Sequence, residues 1–368
     1  MHAGSSFRVV PPAPASASAS ASAIVQSRCS GFGGLTRSAR MSSAPPHVAS
    51  RRPRRTRLRM RRWRSPMGVA GALAGVAVKA SIGAAALGVT LVAALAVFQR
   101  KIMYFPQAGT IPPPPERLKA PYNEIEDVEV VTEDGVRIKL WYWAAQEGAR
   151  GFVTPETAKS REKTAMLLFH GNAGSRADRA QWALQLRQLH GVAVCLVDYR
   201  GYGGSEGEPT EAGMRADSRA ALKWLRETKR PEKIVLLGES IGTCVSVALA
   251  EEEGPGGVDA LILNAALTSI TEVAASIYPF LKPCLKLLLR DKWDSLGKIN
   301  KVEAPLLFLH GPHDNIVPID VGRRLFEASN EPKRFVTIPR GDHNNLPFIG
   351  GEQYYSAIEQ HLRQHVDP

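Results

Sequence analysis

The first 66 residues contain no acidic residue and no lysine, although they hold 13 arginines. The whole chain of 368 residues has 47 lysines and arginines against 35 acidic residues, so 34 basic and 35 acidic residues remain after residue 66. The net charge of that larger part is therefore −1, and the positive charge belongs to the N-terminal segment. A basic nucleic-acid-binding surface on the main domain is not indicated, and we expect no nucleic-acid partner.

Cysteine is also scarce. The four cysteines, Cys29, Cys195, Cys244 and Cys284, are far apart, with no C-x-x-C pair and no neighbouring histidine pattern. This spacing argues against a zinc module and against a dense disulfide framework. We expect buried free thiols, and no metal or organic cofactor.

Large apolar side chains are few in the first 50 residues, which are rich in Ser, Ala and Pro, as in PPAPASASASASA. Such a segment cannot bury enough surface to offset the entropy of ordering it, so residues 1–66 are expected to be disordered. Arginine-rich, serine-rich and acid-free composition is equally typical of an organellar transit peptide. A solvated tail that flanks a membrane helix, or a start codon placed too far upstream, would explain the same composition.

Residues 67–98 form the long apolar stretch of the chain and are predicted to be a transmembrane anchor. The 19 residues from Ala80 to Phe98 carry no charge, and as a helix they would span about 28 Å, close to the thickness of the hydrocarbon core. A signal-peptide core cleaved near residues 94–96, or a buried helix, are the alternatives. The arginines before this stretch favour a cytosolic N-terminus and a main domain across the membrane. We expect a single-pass protein of the endomembrane system, with a plastid or mitochondrion as the other destination.

A proline-rich linker at 99–121 precedes the predicted catalytic domain, residues 122–368. Strand-like and helix-like patterns alternate there, and the strand-like segments are 126–132, 136–143, 164–170, 192–198, 234–238, 261–264, 306–310 and 335–338. Apolar strands that alternate with amphipathic helices predict an α/β fold: a mostly parallel eight-stranded sheet with helices on both faces, made mixed by an initial hairpin. Residues 145–163 are expected to be a polar loop. Residues 266–300 are too long for a plain crossover and are predicted to form a small lid.

The sequence GESIG at 238–242 follows one predicted strand and precedes a helix. In that context Gly238 and Gly242 permit a sharp turn that lifts the Ser240 hydroxyl above the sheet at a helix N-terminus, as a nucleophile requires. Without its context, the same serine could be an ordinary helix N-cap. We predict that Ser240 is a nucleophile.

A serine nucleophile needs a general base that is oriented by an acid. Asp314 in HGPHDNIVP and His343 in GDHNN each follow a strand-like run, and the order Ser, Asp, His is the one this fold requires. Their loops open at the same carboxyl edge of the sheet as Ser240. Asp342 is a rival acid, but adjacent side chains rarely reach each other in the required way. His310 and His313 are rival bases, to which we assign structural roles.

The tetrahedral intermediate needs an oxyanion hole made of backbone N–H groups. Ile241, which follows the nucleophile, is predicted to supply one donor. Asn172 in HGNAGS is predicted to supply the other through its main chain, with Gly171 keeping that loop tight. A glycine-rich turn without chemical function is the alternative. DYRGYGGSEG at 198–207 is interpreted as a structural loop beside the site.

These motifs together resemble the α/β-hydrolase superfamily, and more narrowly its membrane-anchored branch that contains α/β-hydrolase domain-containing protein 13 and the bud-emergence-type proteins. The resemblance rests on QRKIMYFPQ, LLFHGNAGS, VDYRGYGGSEGEPTE, GESIG, LFLHGPHDNIVP and GDHNN, and extends from about residue 99 to 366. It implies the same assignment of Ser240, Asp314 and His343, and hydrolysis of acyl esters or thioesters, with protein depalmitoylation known among relatives. The arginine-rich N-terminal segment lies outside the resemblance.

The sequence therefore predicts a membrane-anchored serine hydrolase that cleaves a lipid or acyl-protein ester or thioester through an acyl-enzyme intermediate. Its partners would be that substrate and the bilayer. The alternative is a catalytically silent scaffold protein of this fold, active in membrane organisation or cell polarity. Such scaffolds usually lack a triad member, whereas all three candidate residues are present here.

Overall fold

The computed structural model describes residues 66–106, 112–113, 115–146 and 151–367. The predicted N-terminal segment therefore lies, up to residue 65, outside the described residues. Within them there are nine α-helices: α1 Pro66–Met103, α2 Pro155–Ser160, α3 Ala180–His190, α4 Glu211–Trp224, α5 Ile241–Glu253, α6 Ile270–Ile277, α7 Lys282–Leu288, α8 Ile319–Ala328 and α9 Leu346–His365.

The strands form one large sheet and one small one. They are β1 Phe105–Pro106, β2 Glu126–Val131, β3 Arg137–Trp143, β4 Thr164–Phe169, β5 Ala173–Gly174, β6 Ala193–Asp198, β7 Lys233–Glu239, β8 Ala260–Asn264, β9 Leu306–His310 and β10 Lys333–Thr337. The large sheet has eight strands in the order β10-β9-β8-β7-β4-β6-β3-β2. Two strand pairs of this sheet are antiparallel: β2 with β3, and β3 with β6. The predicted mixed eight-stranded sheet is confirmed.

Both faces of this sheet are covered, as its continuous apolar strands predict. All six residues of β4 are buried. Because side chains alternate along a strand, Leu167 packs into a core shared with α4, α5 and α8. Its neighbour Leu168 packs into the opposite core, which α3 and α9 cover. Strand order reverses on either side of β4, and in open α/β sheets the ligand site lies at the carboxyl edge beside such a reversal.

Local structure differs from the sequence-based expectation in the polar loop. Residues 145–163 were expected to lack regular structure, but residues 155–160 form α2. The Thr154 side chain accepts a hydrogen bond from the N–H of Thr157, and Pro155 occupies the first turn. An N-cap threonine followed by proline is a helix start signal, and it was present in the sequence although the surrounding residues are polar.

Helix α1 also extends further than the apolar stretch. It continues five residues into the segment expected to be a linker and ends at Met103, after which Phe105 and Pro106 pair with Ala173 and Gly174. Among the described residues, the stretch Leu73–Met103 is the one long and apolar enough to cross a membrane, with a mean hydropathy of 2.2 and none of its most apolar window buried. The predicted anchor thus corresponds to a continuous helix that joins the α/β domain directly.

Candidate active site

Ser240 occupies the turn between β7 and α5. Its backbone angles are φ 52° and ψ −118°, a region that residues with a side chain rarely adopt. Its N–H donates to the carbonyl oxygen of Asn264 on the neighbouring strand at 2.9 Å, which holds the turn in place. A strained serine between a buried strand and a helix is the conformation expected of a nucleophile elbow.

The two glycines of GESIG are required by close backbone contact. A Cβ at Gly238 would overlap the carbonyl oxygen of Gly242, and a Cβ at Gly242 would overlap the carbonyl oxygen of Phe169. The structure gives a weaker reason for Gly171, where a Cβ would meet side-chain atoms of Arg179 and Glu239 at 3.4 Å, an ordinary contact distance. The expectation that a glycine is needed there to keep the loop tight is therefore not supported.

Gly242→Ala is expected to damage both the fold and the site. The new methyl group can be accommodated only by moving α5 away from β4, which lowers the free energy of unfolding by about 1–3 kcal/mol and displaces Ser240. Displacement of a reacting group by about 1 Å can reduce turnover by about 10²-fold. Denaturant unfolding and ester turnover measure the two effects.

Gly88→Ala is the matched control, because open space surrounds Gly88 in α1. It should leave both unfolding and turnover close to those of the wild type. Wild-type stability and turnover in Gly242→Ala would contradict the close approach of α5 to β4.

Three predicted residues, separated by up to 103 positions, converge on one hydrogen-bonded chain. The Ser240 hydroxyl lies 3.0 Å from Nε2 of His343, and Nδ1 of His343 lies 2.7 Å from Oδ2 of Asp314. All three residues are buried. Asp314 and His343 follow β9 and β10, so their loops and the Ser240 turn meet at the carboxyl edge of the sheet.

The surroundings of Asp314 keep its carboxyl group charged. Burial alone would raise its pKa, but hydrogen bonds from His310, His343 and the Val317 backbone hold the pKa below its ordinary value. Its Oδ1 accepts from the N–H groups of Ile316 and Val317 at 2.9 and 2.7 Å. A charged carboxylate accepts the Nδ1–H of His343, which leaves the lone pair of Nε2 directed at the Ser240 hydroxyl.

The rival residues have other partners. Asp342 accepts the N–H groups of Asn344 and Asn345, so its carboxylate closes its own turn. His310 is buried, and its Nε2 lies 2.9 Å from the Val317 carbonyl and 3.5 Å from Asp314, so it supports the Asp314 loop. His313 is exposed. Neither histidine is positioned to take the Ser240 proton.

The two predicted oxyanion donors lie in the loops next to Ser240. Ile241 begins α5, and Asn172 lies in the loop between the end of β4 at Phe169 and the start of β5 at Ala173. Among the described residues, neither N–H donates a hydrogen bond to a protein acceptor. The carbonyl of Asn172 accepts from the N–H of Phe105 and from the Tyr202 hydroxyl, at 3.3 and 2.9 Å, which fixes the orientation of this peptide.

Sequence reasoning missed an ion pair that supports the same loop. Arg179 on the turn before α3 contacts both carboxylate oxygens of Glu239, at 2.8 and 3.1 Å. Glu239 also accepts the N–H of Gly171, and Arg179 donates to the Ala173 carbonyl. Burial would raise the pKa of Glu239, but Arg179 holds it below its ordinary value. A charged residue at the end of the apolar run KIVLLG was the available signal, because it must find a partner.

A cavity of about 220 Å³ opens beside His343, and Arg179, Glu239 and Phe348 line it. Asn264 also lines this cavity and is buried, and its side-chain oxygen has no hydrogen-bond partner among the described residues. A buried acceptor without a partner is costly unless water or a ligand satisfies it. That oxygen is itself inaccessible to solvent, so Asn264 belongs to the wall of the cavity.

Other side chains singled out in the sequence have structural roles. The Asp198 carboxylate is bound by the backbone and side chain of Arg176, and Ser205 donates to the Asp198 carbonyl, so both hold the 198–207 loop. Cys195 and Cys244 are buried and free, as predicted, and burial raises the pKa of the Cys244 thiol to about 12.

Comparison with known proteins agrees with this architecture. Residues 164–284 match the family model of the alpha/beta hydrolase fold. An uncharacterised protein of Mycobacterium tuberculosis is 40% identical over 72% of this chain and 88% of its own length. Alpha/beta hydrolase domain-containing protein WAV2 of Arabidopsis thaliana is 33% identical over 75% of this chain and 91% of its own length. Protein bem46 of Schizosaccharomyces pombe is 32% identical over 77% of this chain and 92% of its own length.

Among solved structures, an esterase from Pyrococcus furiosus superposes with a TM-score of 0.55 at 20% identity, covering 71% of this chain and 97% of the esterase. At that identity the likeness concerns the fold. The sequence relatives are similar over most of their own length, and the residues that the family model matches include Ser240. The chain therefore belongs to the α/β-hydrolase family, in the branch that includes WAV2 and bem46.

Proposed function

We propose that the protein is a membrane-anchored serine hydrolase that cleaves acyl esters or thioesters through Ser240, His343 and Asp314. The observation that carries the proposal is the continuous hydrogen-bonded chain from the Ser240 hydroxyl through His343 to the charged Asp314. A strained serine, an oriented imidazole and a buried carboxylate have no evident packing role that would require this arrangement. Together they perform nucleophilic acyl transfer.

In the first half-reaction, Ser240 Oγ attacks the acyl carbonyl carbon while His343 Nε2 takes the hydroxyl proton. Asp314 stabilises the resulting imidazolium through its hydrogen bond to Nδ1, and stays ionised. The carbonyl oxygen becomes an oxyanion, which the N–H groups of Ile241 and Asn172 stabilise. His343 then returns the proton to the leaving alcohol or thiol, and the acyl group remains on Ser240.

In the second half-reaction, water enters the position of the leaving group. His343 takes a proton from that water, hydroxide attacks the acyl carbon, and the same donors stabilise the second oxyanion. As this intermediate collapses, the bond between the acyl carbon and Ser240 Oγ breaks and His343 returns its proton to that oxygen, which releases the carboxylic acid and restores the Ser240 hydroxyl. Each step uses groups that the chain itself supplies.

The length and composition of α1 support anchoring to a membrane. The stretch Leu73–Met103 has 31 residues, which exceeds the roughly 20 residues that a bilayer requires. Two basic residues, Arg100 and Lys101, lie in its last turn, where a membrane helix meets the headgroup layer. A lipid or acylated protein in the same bilayer would be a suitable substrate for an enzyme held there.

Turnover of graded substrates by the full-length protein in detergent micelles tests the proposed reaction. We expect hydrolysis of p-nitrophenyl esters and acyl thioesters, with an optimum acyl length that reports the size of the acyl site. A fluorophosphonate should abolish turnover and add its mass to the peptide that contains Ser240.

A folded preparation that neither turns over any of these substrates nor reacts with the fluorophosphonate would contradict the proposal and favour the scaffold alternative. Label on a serine other than Ser240 would contradict the residue assignment while leaving a hydrolase in place.

A further inference from the structure

The predicted lid, residues 266–300, exposes large apolar side chains at its outer end. Tyr278, Phe280 and Leu287, in α7 and the turn before it, are 45%, 77% and 89% exposed. Leu285, in the same helix, is buried. Clustered exposed aromatic and aliphatic side chains are uncommon on a protein surface and indicate a surface that contacts another apolar phase.

This end of the lid is fastened to the end of α1. Gln99 donates to the Leu288 carbonyl at 3.1 Å and accepts the N–H of Arg290 at 2.7 Å. Arg100 contacts both oxygens of Asp291, at 2.8 and 3.1 Å. Because these contacts involve the last turn of α1, the C-terminal end of α7, which carries Leu287, lies beside the point where the proposed membrane helix leaves the bilayer.

Charge in the same part of the lid is strongly one-sided. Residues 278–292 contain the four basic residues Lys282, Lys286, Arg290 and Lys292 and a single acidic residue, Asp291. Asp291 is already paired with Arg100. Basic residues beside exposed apolar side chains are typical of segments that lie in the headgroup layer, where anionic lipids attract them.

The active site opens at the same edge of the domain. Phe105, two residues after the end of α1, pairs with the loop that contains Asn172 at the carboxyl edge of the sheet. Two further apolar side chains beside the catalytic loops, Ile316 and Phe348, are 48% and 49% exposed, and Phe348 lines the cavity beside His343. The mouth of the cavity and the exposed end of the lid thus share the edge that α1 approaches.

We propose that residues 278–292 dock into the headgroup layer of the bilayer that α1 spans, with a preference for anionic lipids, so that substrate enters the site from the membrane. This inference rests on the proposed function for the identity of the substrate, but the docking itself is a separate property. The docked lid would present the active site to acyl chains without requiring them to cross water.

Fluorescence quenching tests the docking without reference to activity. Full-length Phe280→Trp and wild type are reconstituted into phosphatidylcholine vesicles that contain brominated phospholipid, with and without phosphatidylserine. After subtraction of the wild-type signal, Trp at position 280 should be quenched, and more strongly when phosphatidylserine is present. Glu162→Trp is the matched control, because Glu162 is exposed at the opposite edge of the sheet, just before β4. Equal quenching at the two positions, or none at 280, would overturn the proposal.

Turnover then tests the route of entry. Phe280→Asp/Leu287→Asp should hydrolyse soluble p-nitrophenyl butyrate like the wild type but a vesicle-embedded long-chain ester at least about tenfold more slowly, because two apolar contacts with the bilayer are lost. Phe280→Leu/Leu287→Met, which keeps the apolar surface, should retain the wild-type rate on both substrates. Equal rates of the Asp variant and the wild type on the embedded ester would overturn entry from the membrane. Failure of the wild type on both esters would contradict the hydrolase function, while the quenching result would still decide the docking.

Discussion

Ser240→Ala is expected to lower kcat for ester hydrolysis by about four to six orders of magnitude, with little change in the unfolding transition. In the proposed mechanism the Ser240 hydroxyl is the group that bonds to the acyl carbon, so its loss removes the acyl-enzyme route. Loss of the nucleophile in triad hydrolases has effects of this size, and the residual rate comes from binding and the oxyanion donors. Steady-state kinetics on p-nitrophenyl esters, with fluorophosphonate labelling, measure it.

Asp314→Asn gives a graded comparison. An amide at position 314 no longer favours the His343 tautomer that carries its proton on Nδ1. We therefore expect kcat to fall by about 10⁴-fold. Ser218→Ala is the matched control, since Ser218 is also a buried serine but lies on α4, where its hydroxyl donates to the Arg215 carbonyl. Unaltered turnover in Ser240→Ala would remove Ser240 from the mechanism.

Arg161→Met is expected to reduce the free energy of unfolding by about 3–5 kcal/mol. Arg161 is 1% exposed and contacts both carboxylate oxygens of Glu359, at 2.8 and 3.1 Å, and both of Asp367, at 2.6 and 2.7 Å. Its removal leaves the buried carboxylate of Glu359 with His190 and Arg363 as its remaining partners. Denaturant unfolding near neutral pH measures the loss, while turnover by the remaining folded protein should be retained because this network is remote from Ser240.

The effect of Arg161→Met should depend on pH. Burial alone would raise the pKa of Glu359, but hydrogen bonds from His190, Arg161 and Arg363 lower it to about 2 from the ordinary value of 4.5. A depressed carboxyl pKa stabilises the fold above pH 4.5, and this contribution is lost as the pH falls towards 2. The difference between wild type and variant should therefore be largest near neutral pH and shrink on acidification.

Arg363→Met is the matched control for that network. Arg363 contacts the same Glu359 carboxylate at 2.7 Å, but its side chain is 52% exposed. Its removal should therefore lower the free energy of unfolding by about 1 kcal/mol or less. Comparable losses in the two arginine variants would contradict the distinction between the buried and the exposed ion pair.

The proposed membrane anchor connects the proposed function with the proposed docking of the lid. The end of α1 contacts the lid through Arg100 with Asp291, and Phe105, just beyond the helix, contacts the loop after β4 through Asn172. These contacts fix the end of α1 relative to the Asn172 loop, whereas a flexible linker would leave that position free. The first five residues of the expected proline-rich linker are therefore helical, because α1 continues to Met103.

Most of the fold could be predicted because its signals are local. Continuous apolar runs such as TAMLLF in β4 predict strands that are buried on both faces. GESIG is recognisable as a nucleophile elbow once a strand precedes it and a helix follows. The three residues Ser240, Asp314 and His343 could be assigned together because parallel strands place their carboxyl ends at one edge. Short elements without apolar periodicity, such as α2 and the β1–β5 pair, gave no comparable pattern.

The sequence by itself determined the eight strands of the large sheet, the glycines of the elbow and the chemical types required for an acyl-transfer site, because each depends on neighbouring residues. Only the tertiary structure decided that Arg179 pairs with Glu239 beneath the Asn172 loop, that Arg161 joins Glu359 to Asp367, and that α1 ends against the lid. These contacts join residues 60, 198, 206 and 191 positions apart. Partners at such separations are chosen by packing of the whole domain, and no local pattern encodes them.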